Sequence, residues 1–67
     1  MREQEWVEFE GVTLLAQTEN AGLFQFEDGD EVWLPWSQVS EGSPGNNGEV
    51  GTLGLTAWIC EKKGIEY

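Results

Sequence analysis

Hydrophobic and polar residues alternate in short stretches of this chain, and that pattern predicts β-strands. In segment 12–18, Val12, Leu14 and Ala16 fall on one apolar face, as expected for a half-buried strand. Segment 6–9 alternates less regularly, and Gly11 is expected to interrupt the extended chain between the two segments. We therefore predict a first strand that begins after Gly11.

The strongest local signal indicates a β-hairpin. Segments 23–26 and 31–34 alternate apolar and other residues, and they flank the turn-forming sequence Glu-Asp-Gly-Asp at 27–30. An Asp-Gly step between alternating apolar segments is typical of a tight turn between antiparallel strands. The two-residue period of a strand predicts one shared apolar face, formed by Phe24, Phe26, Val32 and Leu34.

The chain after this hairpin is expected to leave the sheet. Pro35 has no backbone N–H for a central ladder, so the strand should end there or lie at an edge, and segment 35–39 is predicted to form a helical turn. Segment 40–48 consists almost entirely of turn-forming residues, which predicts a mobile surface loop that connects two elements.

The last third of the chain predicts a strand followed by a short helix. Segment 49–55 is extended in pattern, and its two glycines indicate a bend or bulge. Thr56 is a candidate N-cap and Gly64 a candidate C-terminal cap of a helix. Trp58 and Ile59 are expected to face the sheet, with Ile65 behind them, because so short a helix depends on docking for its stability.

These elements predict a mainly β (α+β) fold in a single small domain spanning residues 1–67. We expect a bent antiparallel sheet of four to five strands, or a small open barrel, with one short C-terminal helix. The chain contains four Trp and three Phe, which is too many large apolar side chains for a disordered acidic tail. At least one of Trp6, Trp33 and Trp36 should lie partly exposed, because one small core does not hold all three.

Charge changes this picture more than any other property of the composition. From Glu3 to Glu61 the chain has no Lys, Arg or His, and the formal net charge is -10. The cations are Arg2, Lys62 and Lys63. Such a surface disfavours nucleic acid and anionic membranes as direct partners and favours a basic protein surface. Solubility alone remains an alternative explanation of the acidity.

The residue types argue against catalysis and against a bound cofactor. With no His, the chain lacks a ready proton shuttle near neutral pH, and Ser37 and Cys60 lack an evident base. The acidic residues near Gly29 do not have the ligand spacing of a calcium-binding loop, and there is no Cys/His zinc pattern. We therefore expect a protein that is not an enzyme and holds no metal or cofactor. The lone Cys60 indicates a buried thiol and a cytoplasmic, reducing setting.

The candidate binding residues are two carboxylates near the start of the chain, four carboxylates of the predicted hairpin tip, and one ring that follows the hairpin. Residues two apart on a strand point the same way about 6.6 Å from each other. Pairs of carboxylates with that spacing resemble successive phosphates, and the hairpin tip should form a compact negative knob. The predicted partner-binding residues are Glu8, Glu10, Glu27, Asp28, Asp30, Glu31 and Trp36.

Two segments resemble a motif pair in small proteins of phages and mobile elements. Segment 32–39 has the sequence VWLPWSQV and segment 56–64 has TAWICEKKG. In the family the first motif runs Trp, aliphatic, Pro, Lys, Ser, Gln, aliphatic, and the second contains Trp, aliphatic, two variable positions, Lys and Gly. Trp36 stands where that family usually has Lys, which makes nucleic-acid contact less plausible for this chain.

In size and charge the chain also resembles the small acidic phage inhibitors that imitate DNA, including anti-CRISPR and anti-restriction proteins. The resemblance implies a stoichiometric inhibitor, monomeric or weakly dimeric, in the host bacterial cytoplasm. It would occupy a basic nucleic-acid channel of a host defence protein, such as a CRISPR effector complex. The alternative is a small adaptor that binds a peptide or a phage replication protein through exposed Trp residues.

Overall fold

The computed structural model describes residues 5–67 and confirms a mainly β fold with one C-terminal helix. The strands form one antiparallel sheet, which is not closed, in the order β3-β2-β1-β4. The elements are β1 (Trp6–Gln17), β2 (Ala21–Gln25), β3 (Glu31–Pro35), a 3₁₀ turn (Trp36–Gln38), β4 (Val50–Thr56) and α1 (Ala57–Lys63). Beyond β4, a single bridge between Val39 and Leu55 extends the pairing at that edge.

Strand β1 is longer than the sequence predicts, because Gly11 forms a bulge and does not end the strand. The register against β4 shifts between Phe9 and Val12, and Gly11 has φ +68°. A second shift between Leu14 and Ala16 places Ala16 opposite Leu23, on the face away from the core. The prediction that Ala16 shares the apolar face of Val12 and Leu14 is therefore wrong, because an extra residue reverses the alternation.

The predicted hairpin is confirmed as β2 and β3. Phe24 pairs with Val32, and Gly22 pairs with Leu34. The four apolar residues predicted to share a face all lie in the core or pack against it. At the tip, the Gly29 N–H donates to the Phe26 carbonyl at 2.9 Å, and Gly29 has φ +95°. That left-handed conformation favours glycine, which explains the residue at this position.

The core lies between the inner face of the sheet and α1. It is formed by Val12, Leu14, Phe24, Leu34, Leu53, Leu55, Ile59 and Cys60, all buried. The strand residues come from all four strands, and the last two residues come from the helix. Cys60 is a free, buried thiol, as the sequence predicts, and burial together with the nearby Glu61 raises its pKa.

Helix α1 begins and ends where the sequence predicts, but one of its rings faces outward. The Thr56 hydroxyl accepts from the Ile59 N–H at 3.2 Å, and Gly64 has φ +71°. Ile59 is buried, whereas Trp58 is 56% exposed, with the Lys62 ammonium 5.5 Å from its ring centroid. The prediction that Trp58 faces the sheet is wrong, since adjacent helical positions point about 100° apart and Ile59 takes the inner one.

Removing the Thr56 hydroxyl is expected to destabilise the fold by about 1–2 kcal/mol. The buried hydroxyl caps α1 and also donates to the Gln38 side-chain oxygen at 2.6 Å, so Thr56→Ala breaks two hydrogen bonds. Urea unfolding of Thr56→Ala measures the loss. Thr56→Ser, which keeps the hydroxyl, should recover most of the stability, and equal losses in both variants would contradict the capping role.

Segment 40–48 crosses from the 3₁₀ turn to β4 and is anchored at several points. Pro44 is buried, and the Ser40 N–H donates to the Gly54 carbonyl at 2.8 Å. The Gly48 N–H donates to the Leu14 carbonyl at 2.7 Å. These bonds attach both ends of the segment to the sheet, while its mobility stays a prediction.

Glu49 follows this segment and is hydrogen-bonded to it. We expect its carboxylate to make the folding stability depend on pH in the acid range. Its carboxylate accepts from the Gly45 N–H at 2.9 Å and the Asn46 N–H at 3.1 Å, and these bonds lower its pKa from 4.5. A lowered pKa in the folded state adds stability above the unfolded value, and that stability is lost as the pH falls through the folded pKa. Glu49→Gln should therefore lose less stability between pH ~6 and ~3 than the parent.

Denaturant unfolding across that pH range measures the effect. The control is Glu41→Gln, which removes an exposed carboxylate of the neighbouring segment that makes none of the contacts of Glu49. Identical acid dependence in the two variants would contradict the role of Glu49.

Candidate functional site

The described surface contains an acidic groove. It has a volume of about 790 Å³ and lies between the first half of β1, the hairpin tip and the chain that follows α1. Its carboxylates belong to Glu8, Glu10, Glu27, Asp28, Asp30, Glu31 and Glu66. Within residues 5–67, its one cationic lining residue is Lys63. The groove thus gathers all six carboxylates that the sequence predicts as binding residues.

Besides its carboxylates, the groove is lined by apolar side chains, which we call its floor. Phe9, Phe26, Val32 and Ile65 line it, are only partly buried and pack against the core. The rings of Phe9 and Phe26 meet edge to face, with centroids 5.2 Å apart. Carboxylates together with exposed apolar surface can contact both the charged head and the aliphatic stem of a Lys or Arg side chain.

The groove exists because β1 extends past the end of the hairpin. Strand β1 pairs with β2 only over Thr13–Gln17, whereas its pairing with β4 runs from Trp6 to Thr13. On its hairpin side, residues 6–11 of β1 therefore have no strand partner within the described part of the chain. One wall of the groove is this free strand edge.

Gly11 lets the Glu27 side chain of the hairpin tip approach β1. A Cβ at this position would lie 2.7 Å from Cγ of Glu27, a distance that real side chains do not adopt. With φ +68° the position also favours glycine on backbone grounds. The bulge thus positions the Glu27 side chain directly over β1.

Of the carboxylate pairs predicted for extended chain, Glu8 and Glu10 lie in strand β1, whereas Asp28 and Asp30 do not lie in a strand. Glu8 and Glu10 are both exposed on β1, on either side of the partly buried Phe9. Asp28 and Asp30 lie in the turn, where the Asp28 Oδ1 accepts from the Asp30 N–H at 3.0 Å. Asp28 consequently has a structural role in the turn besides its charge.

Trp36 lies away from the groove and is a packing residue in this structure. Its ring meets Phe24 edge to face at 5.6 Å, and its indole N–H donates to the Thr18 carbonyl at 3.1 Å. Gly22 makes this possible, because a Cβ there would lie 2.9 Å from ring atoms of both Phe24 and Trp36. Trp36 does not line the groove, so its predicted role in partner binding stays a prediction.

A second surface with exposed apolar side chains occurs on the outer face of the sheet. Ala16, Leu23 and Trp33 are aligned across β1, β2 and β3, opposite to the core. Trp33 is 45% exposed, and Leu15 and Val50 are also exposed. No described element pairs with or packs on this outer face, so it carries apolar side chains in contact with water.

Three properties of the described residues concern metal-binding clusters, the pairing of buried polar atoms and membrane-spanning helices. Among residues 5–67, no group of three or more Cys, Asp or Glu side chains is arranged to hold a metal ion. Every buried side-chain polar atom in that range has a hydrogen-bond partner. In the same range, no helix has the length and apolar character needed to cross a membrane.

Sequence reasoning missed the floor of the groove and its third wall. Glu66 and Lys63 reach the groove because the chain turns back at Gly64, where the Ile65 N–H donates to the Cys60 carbonyl at 2.8 Å. Gly64 indicates from the sequence that the chain turns after α1. The direction of that turn, however, depends on how α1 docks on the sheet.

Crowded carboxylates should make the fold more stable at higher ionic strength. Screening shortens the range of repulsion from about 10 Å at 0.1 M to about 3 Å at 1 M salt. The melting temperature should rise across that range by about 4–8 °C for each kcal/mol of repulsion relieved. Calorimetry measures the rise, and a melting temperature that does not change with salt would contradict it. Glu10→Gln combined with Asp30→Asn should reduce the response.

Comparison of the chain with protein-family models, with curated proteins and with solved structures gave no match in any of the three.

Proposed function

We propose that this protein is a stoichiometric inhibitor that binds the basic nucleic-acid-binding channel of a host defence complex, in the manner of an anti-CRISPR DNA mimic in the bacterial cytoplasm. The observation that carries the proposal is the groove itself, which among residues 5–67 is lined by seven carboxylates and a single Lys. Arg and Lys side chains that normally hold phosphates would instead form charge-assisted hydrogen bonds with these carboxylates.

The charge distribution supports such competition with nucleic acid. A formal net charge of -10 accelerates encounter with a basic surface, and the partly buried apolar floor adds contacts that slow dissociation. Direct binding of nucleic acid is disfavoured by the same charge, because phosphates would meet carboxylates.

The proposal is tested by titrating the protein into purified CRISPR effector complexes that carry labelled target DNA probes. We expect loss of DNA binding at a one-to-one ratio, and a smaller effect as salt increases. Fluorescence anisotropy of the DNA measures the competition. An effector complex that binds the protein on a column and still binds DNA with unchanged affinity would contradict inhibition.

A second candidate function is favoured by the outer face of the sheet. There Trp33, with Leu15 and Val50, offers exposed apolar contacts to a peptide or replication protein, as an adaptor would require. An adaptor of this kind would keep its partner when DNA is added. Adding DNA to the complex of this protein with its partner therefore distinguishes the two functions: DNA should displace an inhibitor and should not displace an adaptor.

A further inference from the structure

We infer that the acidic groove binds an extended basic segment in which cationic and apolar residues alternate. This inference deepens the proposed function and rests on it for the assignment of a basic protein as the partner. It names the element of that partner that enters the groove, namely a short strand-like segment.

The first step of the argument is the mixed acidic and apolar chemistry of the groove. A surface that imitated phosphates alone would need carboxylates and no apolar contacts. Here Phe9, Phe26 and Ile65 remain partly exposed and line the groove together with the carboxylates. An apolar side chain placed on this floor removes both surfaces from water, while cations on either side reach the carboxylates.

The second step is the free edge of β1. Because residues 6–9 of β1 pair only with β4, the side of this stretch that faces the groove has no strand partner in the described chain. Unpaired strand edges bind extended peptides through main-chain hydrogen bonds. Residues of an added strand alternate between two directions, so every second side chain faces the floor.

The third step is the charge that surrounds this edge. Glu8 and Glu10 lie on β1 itself, and the tip carboxylates lie across the groove from them. A second copy of this chain is a poor occupant, because each copy brings a net charge of -10. Lys63 is the one described lining residue that repels a basic segment.

The probes are two blocked five-residue peptides of equal charge, Lys-Leu-Arg-Leu-Lys and Lys-Ser-Arg-Ser-Lys. Isothermal titration of the full chain should give a dissociation constant for the leucine peptide at least ~10-fold lower than for the serine peptide. Val32→Thr should weaken the leucine peptide alone, and Glu10→Gln should weaken both. Lys63→Gln, an exposed position, should strengthen both.

The outcomes separate this inference from the proposed function. Equal affinity for the two peptides, or no binding of either, overturns the inference even where the protein still displaces DNA from an effector. Selective binding of the leucine peptide without displacement of DNA supports the inference and overturns the proposed inhibition. Circular dichroism of each variant confirms folding, and Glu19→Gln, outside the groove, should bind both peptides as the parent does.

Discussion

Reversing two charges of the groove, Glu10→Lys together with Asp30→Lys, is expected to abolish competition with DNA. Both side chains are exposed, and Glu10 lines the groove from β1 while Asp30 lines it from the hairpin turn. The affinity for a basic channel should fall on the order of 100-fold, about 2.8 kcal/mol, because two attractive contacts become repulsive. Inhibition titrations against the effector complex measure the change. Asp28 is left unaltered, because its carboxylate holds the turn.

The matched control is Glu19→Lys together with Glu41→Lys, two exposed positions outside the groove. Both double variants have the same formal net charge, so long-range attraction changes by a similar amount. The control should slow association modestly and leave most of the affinity. Equal losses in the two variants would show that net charge matters and the groove does not.

Replacing Trp36 by Ala is expected to cost about 2–3 kcal/mol of folding stability, less than the ~3–5 kcal/mol of a fully buried ring. The variant loses the edge-to-face contact with Phe24 and the hydrogen bond to the Thr18 carbonyl, and it opens a space above Gly22. Peptide binding in the groove should be unchanged for the folded protein. Urea unfolding and the titrations described above measure the two properties.

Trp33→Ala is the control for this variant, because it removes an equally large ring from the exposed outer face. Its loss of stability should be at most about 1 kcal/mol, the scale of a cross-strand pair. If Trp36→Ala kept its stability and lost binding, the packing role would be wrong and the predicted binding role of this residue would be restored.

Local signals in the sequence were sufficient for most of the fold. The turn at Asp28 and Gly29, the N-cap at Thr56 and the cap at Gly64 each depend on neighbouring residues, and the structure confirms all three. The 3₁₀ turn after Pro35 has the same local origin. These features need no knowledge of the distant chain, which is why a pattern of residues predicts them.

Features that depend on contacts between distant segments were not predictable in this way. The bulge at Gly11 depends on pairing with β4 and on the Glu27 side chain, and the exposure of Trp58 depends on how α1 docks. The groove is a feature of the same kind. Charge patterning identified its carboxylates, but Glu66 and the apolar floor are brought there by tertiary packing.

The central position of β1 in the sheet has a consequence for folding kinetics. The turn between β2 and β3 joins neighbouring residues, so that hairpin can form within microseconds, whereas pairing of Trp6 with Thr56 closes a loop of almost the whole chain. We therefore expect the contacts of the hairpin turn to form faster than those between β1 and the C-terminal residues. A chain in which only the hairpin has formed would present the tip carboxylates without the opposite wall of the groove, so recognition of a basic partner would require the slowest long-range pairing of the sheet.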